Sequence, residues 1–186
     1  PAMLVLLFAC ARLGAIFVPL NWRLAVPEYV YVLEDSGAKL LFCDERYLQV
    51  GKSASRSVGG VTTSVTGRHF DRLLDDVSGD PKEILDGSSG PLLIVYTSGT
   101  TGRPKGAVLS HDAIICNAEN SVSMHQMTKE DIVFTNLPMY HVGGLNIQTM
   151  PAFSIGATVV LHPRFDVEAT IRVINDSGPT LMILVP

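Results

Sequence analysis

Apolar residues at helical spacing alternate along this chain with short β-branched runs, and Gly, Pro, Asn and Asp punctuate the joints. The helical pattern covers Met3–Leu13, Val26–Ser36, Arg46–Ser53, Ser110–Met124, Gly143–Phe153 and Asp166–Asp176. The strand pattern covers Ala15–Val18, Lys39–Cys43, Leu92–Thr97, Ile132–Asn136, Thr158–His162 and Leu181–Val185, with a further short strand at Ala107–Leu109. Alternation of this kind predicts an α/β fold, with mostly parallel sheets flanked by helices. Residues 51–90 break the pattern: SASRS, VGGVTTS, DVSGDP and DGSSG read as loop, with a short helical patch near Phe70–Asp75. An insertion or subdomain junction is expected there, and the acidic cluster Asp71, Asp75, Asp76 and Asp80 reads as solvated surface.

At 186 residues the chain can bury a real core, in one domain or two lobes. Its hydrophobic content is 47% and its mean hydropathy +0.29, apolar for a complete globular protein and enough to leave surface open to self-association. The net charge of −4 comes with no basic run, which argues against nucleic acid as a partner. Cys10, Cys43 and Cys116 are odd in number, far apart and free of any C-x-x-C, so they read as reduced core thiols of a cytoplasmic protein. The five histidines show no metal-ligand spacing. Met3–Ala11, the longest apolar run, is far shorter than the ~20 residues of a bilayer helix. No basic segment precedes it, so it reads as a core helix, and no integral membrane segment is expected.

Candidate chemistry concentrates in Tyr96–Gly106, which reads YTSGTTGRPKG directly after the apolar strand pattern. Two hydroxyl-glycine pairs, Ser98-Gly99 and Thr101-Gly102, offer free backbone N–H groups and hydroxyls, and Lys105 offers a cation; a polyphosphate needs such a set. A Walker loop does not fit, because the sixth position from Gly99 is Pro104 and Lys105 precedes Gly106. No G-x-G-x-x-G follows a strand either. A second cluster, NLPMYHVGGL at Asn136–Leu145, joins an aromatic ring, a titratable ring and two glycines just after the strand that Pro138 terminates.

The loop is similar to the phosphate-binding signature of the adenylate-forming, AMP-binding enzymes, which include acyl- and aryl-CoA ligases, luciferases and peptide-synthetase adenylation domains. NLPMYHVGGL resembles the segment that lines their acyl pocket. Ala9–Asn21 and Val26–Gly37 look like the opening subdomain of the same enzymes, most like fatty-acid–CoA ligases. The resemblance is weakest between Val50 and Gly90.

That resemblance implies part of a large N-terminal domain, here 1–186, and a reaction in two halves. A carboxylate attacks the α-phosphate of ATP and expels pyrophosphate; the thiol of coenzyme A then displaces AMP. Thr97, Ser98, Gly99, Thr100, Thr101, Gly102 and Lys105 would hold the phosphates, with Lys105 and His141 as the catalytic pair. Tyr140, His141, Gly143 and Gly144 would shape the acid site. Mg²⁺ is expected as a companion of ATP, with its protein ligand outside these residues. Relatives that activate amino acids carry an Asp after the aromatic residue; here that place is His141, and no acid lies between Asn136 and Pro163. A buried ammonium would lack a partner, so a fatty or aromatic acid is expected.

The adenine-binding Y-G-x-T-E segment and the mobile C-terminal domain of such enzymes have no counterpart among these residues. The chain therefore reads as an N-terminal-domain portion of a longer ligase. Two other readings stay open: a non-catalytic nucleotide- or phosphate-binding module, and an unrelated kinase-like phosphotransferase, which would lack an Asp/Asn set for Mg²⁺ beside the glycines. The 186 residues alone are expected to give no carboxylate-dependent ATP–pyrophosphate exchange, and measurable exchange would overturn that expectation.

Overall fold

The computed structural model describes residues 2–75, 90–97 and 103–184. The chain divides into two units, Pro1–Gly87 with Leu92–Val108, and Ser88–Pro91 with Leu109–Pro186.

In the first unit, α1 (Ala2–Leu13) and α2 (Val26–Ser36) are followed by β1 (Leu40–Cys43), α3 (Leu48–Val58), β2 (Thr62–Val65) and α4 (Arg68–Asp75). The sequence explains both ends of α2. Glu28 accepts a hydrogen bond from the Ala25 N–H at 2.8 Å, covering one of the free amides of the first turn. Gly37 closes the helix in the left-handed region at φ 64°. β1 and β2 pair in parallel from Leu40 with Thr62 to Cys43 with Val65. Tyr29, Leu33, Leu41 and Ala54 form the core between helices and strands. β3 (Pro91–Thr97) pairs with β4 (Lys105–Ser110) in a separate two-stranded sheet. The expected strand at Ala15–Val18 contributes a single parallel bridge: the Phe17 N–H donates to Leu92 O at 2.8 Å, and the Ile94 N–H to Phe17 O at 3.0 Å.

Residues 51–66 correct the sequence reading. The helix expected over Arg46–Ser53 is α3, which continues to Val58, and Thr62–Val65 form β2 instead of loop. The helix buries Gly51, Ala54 and Ser55, a face of small residues that carries little hydrophobic signal but packs closely. Ser55 Oγ meets Thr63 Oγ1 at 2.7 Å, so even the polar member of that face is satisfied. The helical patch near Phe70–Asp75 is α4.

In the second unit, α5 (His111–His125) and β5 (Ile132–Thr135) lead into one continuous helical run. It comprises α6 (Val142–Gly144), a π turn over Leu145–Thr149, and α7 (Met150–Ser154). β6 (Thr158–Leu161), α8 (Val167–Ser177) and β7 (Leu181–Met182) follow; residue 185 of the expected last strand lies outside the described residues. The sheet order is β6-β5-β7, with both pairings parallel. β5 is central and covered on both faces, Val133 and Phe134 at 0% exposure and Thr135 at 1%, which is why it reads as a continuous run and not an alternating one. Ser110 caps α5 as its position predicts, its Oγ accepting from the Ala113 N–H at 3.1 Å. Asp166 caps α8 in the same way at 2.8 Å.

All three cysteines are free thiols, and burial pushes Cys10 and Cys43 upward. Cys116 departs from the core reading: it is exposed, because α5 turns Ile114, Ala118 and Ser121 inward and leaves position 116 outside. Among the described residues no helix is long and apolar enough to cross a membrane.

Asp131 ties the starts of β5 and β7. Thr180 Oγ1 donates to its Oδ1 at 2.6 Å, and the Thr128 N–H donates to its Oδ2 at 2.6 Å. The Thr180 hydroxyl and then the Thr128 amide hold this carboxyl below the usual aspartate range. Its contribution to stability is therefore complete above that range and is lost as pH falls through the lowered folded value. Acid unfolding curves of the native protein and Asp131→Asn are expected to lie apart at neutral pH and converge as the pH drops below the aspartate range.

Candidate functional site

The loop motif rises from two stems. β3 buries Leu92, Leu93 and Val95, and Thr97 ends it in an exposed position. Lys105 opens β4, also exposed, with Arg103 exposed before it. Among the described residues no carboxylate pairs with Lys105, so its ammonium is available to an anion. Ser98, Gly99, Thr100, Thr101 and Gly102 lie outside the described residues.

The stems are held from the side. Tyr96 Oη donates to Asp35 Oδ2 at 2.6 Å, and Tyr31 Oη donates to the Pro104 carbonyl at 2.9 Å. Burial first, and then the bond to Asp35, push the Tyr96 phenol well above its ordinary range, so the proton stays on the donor oxygen. Gly106 has no room for a side chain: a Cβ there would stand 2.7 Å from Ile94 Cγ2 and 3.1 Å from the Tyr96 ring. The final glycine of the motif thus answers to the ring of its first residue. Tyr31 and Asp35 were not among the residues the sequence singled out. Their spacing of four puts them on one face of α2, but nothing local names partners 73 and 61 positions away.

Tyr140, His141, Gly143 and Gly144 belong to the second unit and lie together where β5 gives way to the helical run. The Pro138 carbonyl accepts the His141 N–H at 3.1 Å, turning the chain. His141 then caps α6, its Nδ1 accepting from the Gly143 N–H at 3.1 Å. An accepting Nδ1 carries no proton, so the imidazole N–H sits on Nε2, ready to donate to an oxygen. Tyr140 is half-buried and His141 exposed.

The two glycines differ in a way the sequence does not reveal. A Cβ at Gly143 would make ordinary contacts, 3.4 Å to His141 Nδ1 and 3.6 Å to Leu137 Cδ1. At Gly144 it would strike backbone, 2.6 Å from Pro138 O and 2.7 Å from Leu137 O. The room at Gly144 is filled by the protein's own chain, so close packing demands this glycine whether or not a substrate approaches.

The π turn beyond it has a chemical cause. Pro151 has no N–H, so neither Asn146 O nor Ile147 O can receive one from it. The Met150 N–H reaches back five residues to Leu145 O. α5 supplies the missing donors from one face: Asn117 Nδ2 bonds Asn146 O at 2.7 Å, and Ser121 Oγ bonds Ile147 O at 2.6 Å. Thr149 Oγ1 bonds Gly144 O at 2.7 Å across the same turn. Asn136 and Gln148 are buried, and their side-chain amides lack partners among the described residues. The cavity of about 580 Å³ in the first unit, bordered by Leu6, Phe17, Leu41 and Thr66, includes none of the predicted site residues.

Gly144→Ala is expected to destabilise the protein by about 1–3 kcal/mol through forced movement of the 137–138 backbone. Gly143→Ala should be near neutral. Denaturant midpoints for the two variants, measured side by side, check the contrast; equal losses would contradict it.

Comparison with known proteins adds three likenesses. An indoleacetate–CoA ligase of Aromatoleum aromaticum is 47% identical over 194 residues, covering 100% of this chain and 38% of the ligase. A feruloyl-CoA synthase of Amycolatopsis is 34% identical over 186 residues, again 100% of this chain and 36% of the synthase. The crystal structure of ATP-bound MatB from Rhodopseudomonas palustris superposes with a TM-score of 0.85 at 28% identity, over 97% of this chain and 36% of that one. The chain thus spans well under half the length of these relatives, and MatB matches its mixed α/β architecture. The profile of the AMP-binding enzymes matches residues 1–186 throughout, and the chain belongs to that family.

Proposed function

We propose that the protein carrying this sequence activates an aromatic carboxylic acid with ATP and passes the acyl group to coenzyme A. The observation that carries the reading is the YTSGTTGRPKG motif at the ends of β3 and β4, with a Lys105 that no carboxylate pairs among the described residues. In this reading Thr97, Ser98, Gly99, Thr100, Thr101 and Gly102 bind the β- and γ-phosphates, and Lys105 neutralises charge on the departing pyrophosphate. A carboxylate oxygen attacks the α-phosphorus, the bond to the bridging oxygen breaks, and pyrophosphate leaves. The attacking group and its target are both anionic, so positioning and charge neutralisation supply most of the rate.

His141 serves the acid. Its Nε2–H is the donor that the cap on Nδ1 leaves free, and it is suited to a carboxylate or acyl oxygen. Tyr140 forms an aromatic wall of the acid pocket. In the second half-reaction the thiol of coenzyme A loses its proton, its sulfur attacks the acyl carbon, and AMP departs. The absence of any acidic residue between Asn136 and Pro163 supports an uncharged tail, and the indoleacetate and ferulate relatives favour an aryl group. Among the described residues no three His, Cys, Asp or Glu side chains gather to hold a metal. Mg²⁺ is assigned to ATP, with a protein ligand outside these residues.

The test is ATP–pyrophosphate exchange by the protein carrying this sequence, with indoleacetate and ferulate as acids. Lys105→Ala should lower kcat/KM for ATP about 10²-fold while moving the KM of the acid little. His141→Ala should act mainly through the acid. Exchange with fatty but not aryl acids would overturn the aryl assignment, and no exchange with either class, in a protein that still binds ATP, would leave a nucleotide-binding module as the better description.

A further inference from the structure

The nucleotide motif sits on two strand ends, and strand ends fray unless something fixes them. Here one face of α2 reaches both. Tyr31 and Asp35 are one helical turn apart, so their side chains project to the same side. Asp35 takes the Tyr96 hydroxyl on the incoming stem at 2.6 Å. Tyr31 bonds the Pro104 carbonyl on the outgoing stem at 2.9 Å. That carbonyl belongs to the peptide plane joining Pro104 to Lys105, so Tyr31 orients the backbone from which the lysine projects. The stems also grip each other, because the Tyr96 ring lies over Gly106 where no Cβ could fit. The result is a closed frame of α2, Tyr96, Gly106 and Pro104.

We infer that Tyr31 and Asp35 are positioning residues that set the separation of the two stems and thereby the aim of Lys105 at the phosphates. The inference rests on the proposed phosphate-binding role of the loop. Neither side chain touches nucleotide in this assignment; both act through the stems. Removing either bond loosens one stem and leaves the other strand contacts in place.

The experiment uses the protein carrying this sequence with Tyr31→Phe, Asp35→Ala, Asp35→Asn and Tyr96→Phe. It reads the KM for ATP and for the acid, and hydrogen–deuterium exchange of the peptide covering 94–108 without nucleotide. Tyr31→Phe and Asp35→Ala should each raise the KM for ATP about 3- to 10-fold, the size of one lost hydrogen bond. The KM of the acid should stay within about twofold, and exchange over 94–108 should quicken. Asp35→Asn keeps an accepting oxygen and should recover most of the loss, whereas Tyr96→Phe should add nothing to Asp35→Ala. Unchanged ATP parameters with unchanged exchange overturn the inference. So does a parallel rise in both KM values that tracks a falling Tm, since that marks general destabilisation. A native protein with no ATP-dependent activity would instead overturn the functional reading. Exchange over 94–108 would then decide the frame alone: faster in Tyr31→Phe keeps it, and unchanged sinks it.

Discussion

The first unit depends on how closely two strands can approach under an aromatic ring. Tyr96 lies over Gly106, and a single added carbon at that glycine would fall within 2.7 Å of Ile94. Dense packing of this kind has little slack, so positions on both strands are fixed together. The ring's hydroxyl extends the constraint to Asp35, and Tyr31 on the same helical face extends it to Pro104. A glycine that looks like one more flexible member of a loop motif is, in the folded chain, enclosed by the side chains of Ile94 and Tyr96.

The second unit solves a different problem with the same economy. A proline within the helical run leaves carbonyls without donors, and buried carbonyls without donors are costly. Asn117 and Ser121, one turn apart on α5, restore both bonds. The π turn, the proline and the two polar side chains therefore form one device that fixes the run against α5. His141 stands at the head of that run, so the direction of its free Nε2–H follows from how the run is seated.

Much of this was legible in the residues. β5 announces burial on both faces by an unbroken apolar run, Ser110 and Gly37 mark helix boundaries through backbone chemistry, and the loop motif marks the family. What was hidden depended on partners distant in sequence or on packing without hydrophobicity. The second half of α3 reads as loop because Gly51, Ala54 and Ser55 are weak or small, and that part of the helix is held by tertiary contacts that propensity does not record. Gly143 and Gly144 look equivalent until the backbone of Leu137 and Pro138 is seen beside only one of them. Cys116 looks like its two half-buried counterparts until the phase of α5 turns it outward.

The bonds from Asp35 to Tyr96 and from Tyr31 to Pro104 join positions 61 and 73 residues apart. Closing such spans costs chain entropy that no local contact repays. α2 has its own Glu28 and Gly37 to finish it, so the helix can be ready while the strands are still being made. During synthesis the motif gains its second anchor only after residue 104 has emerged and the intervening elements have docked. An unfinished chain accordingly lacks the second tie on these strand ends, and the Tyr31–Pro104 bond marks the moment at which the first unit is complete.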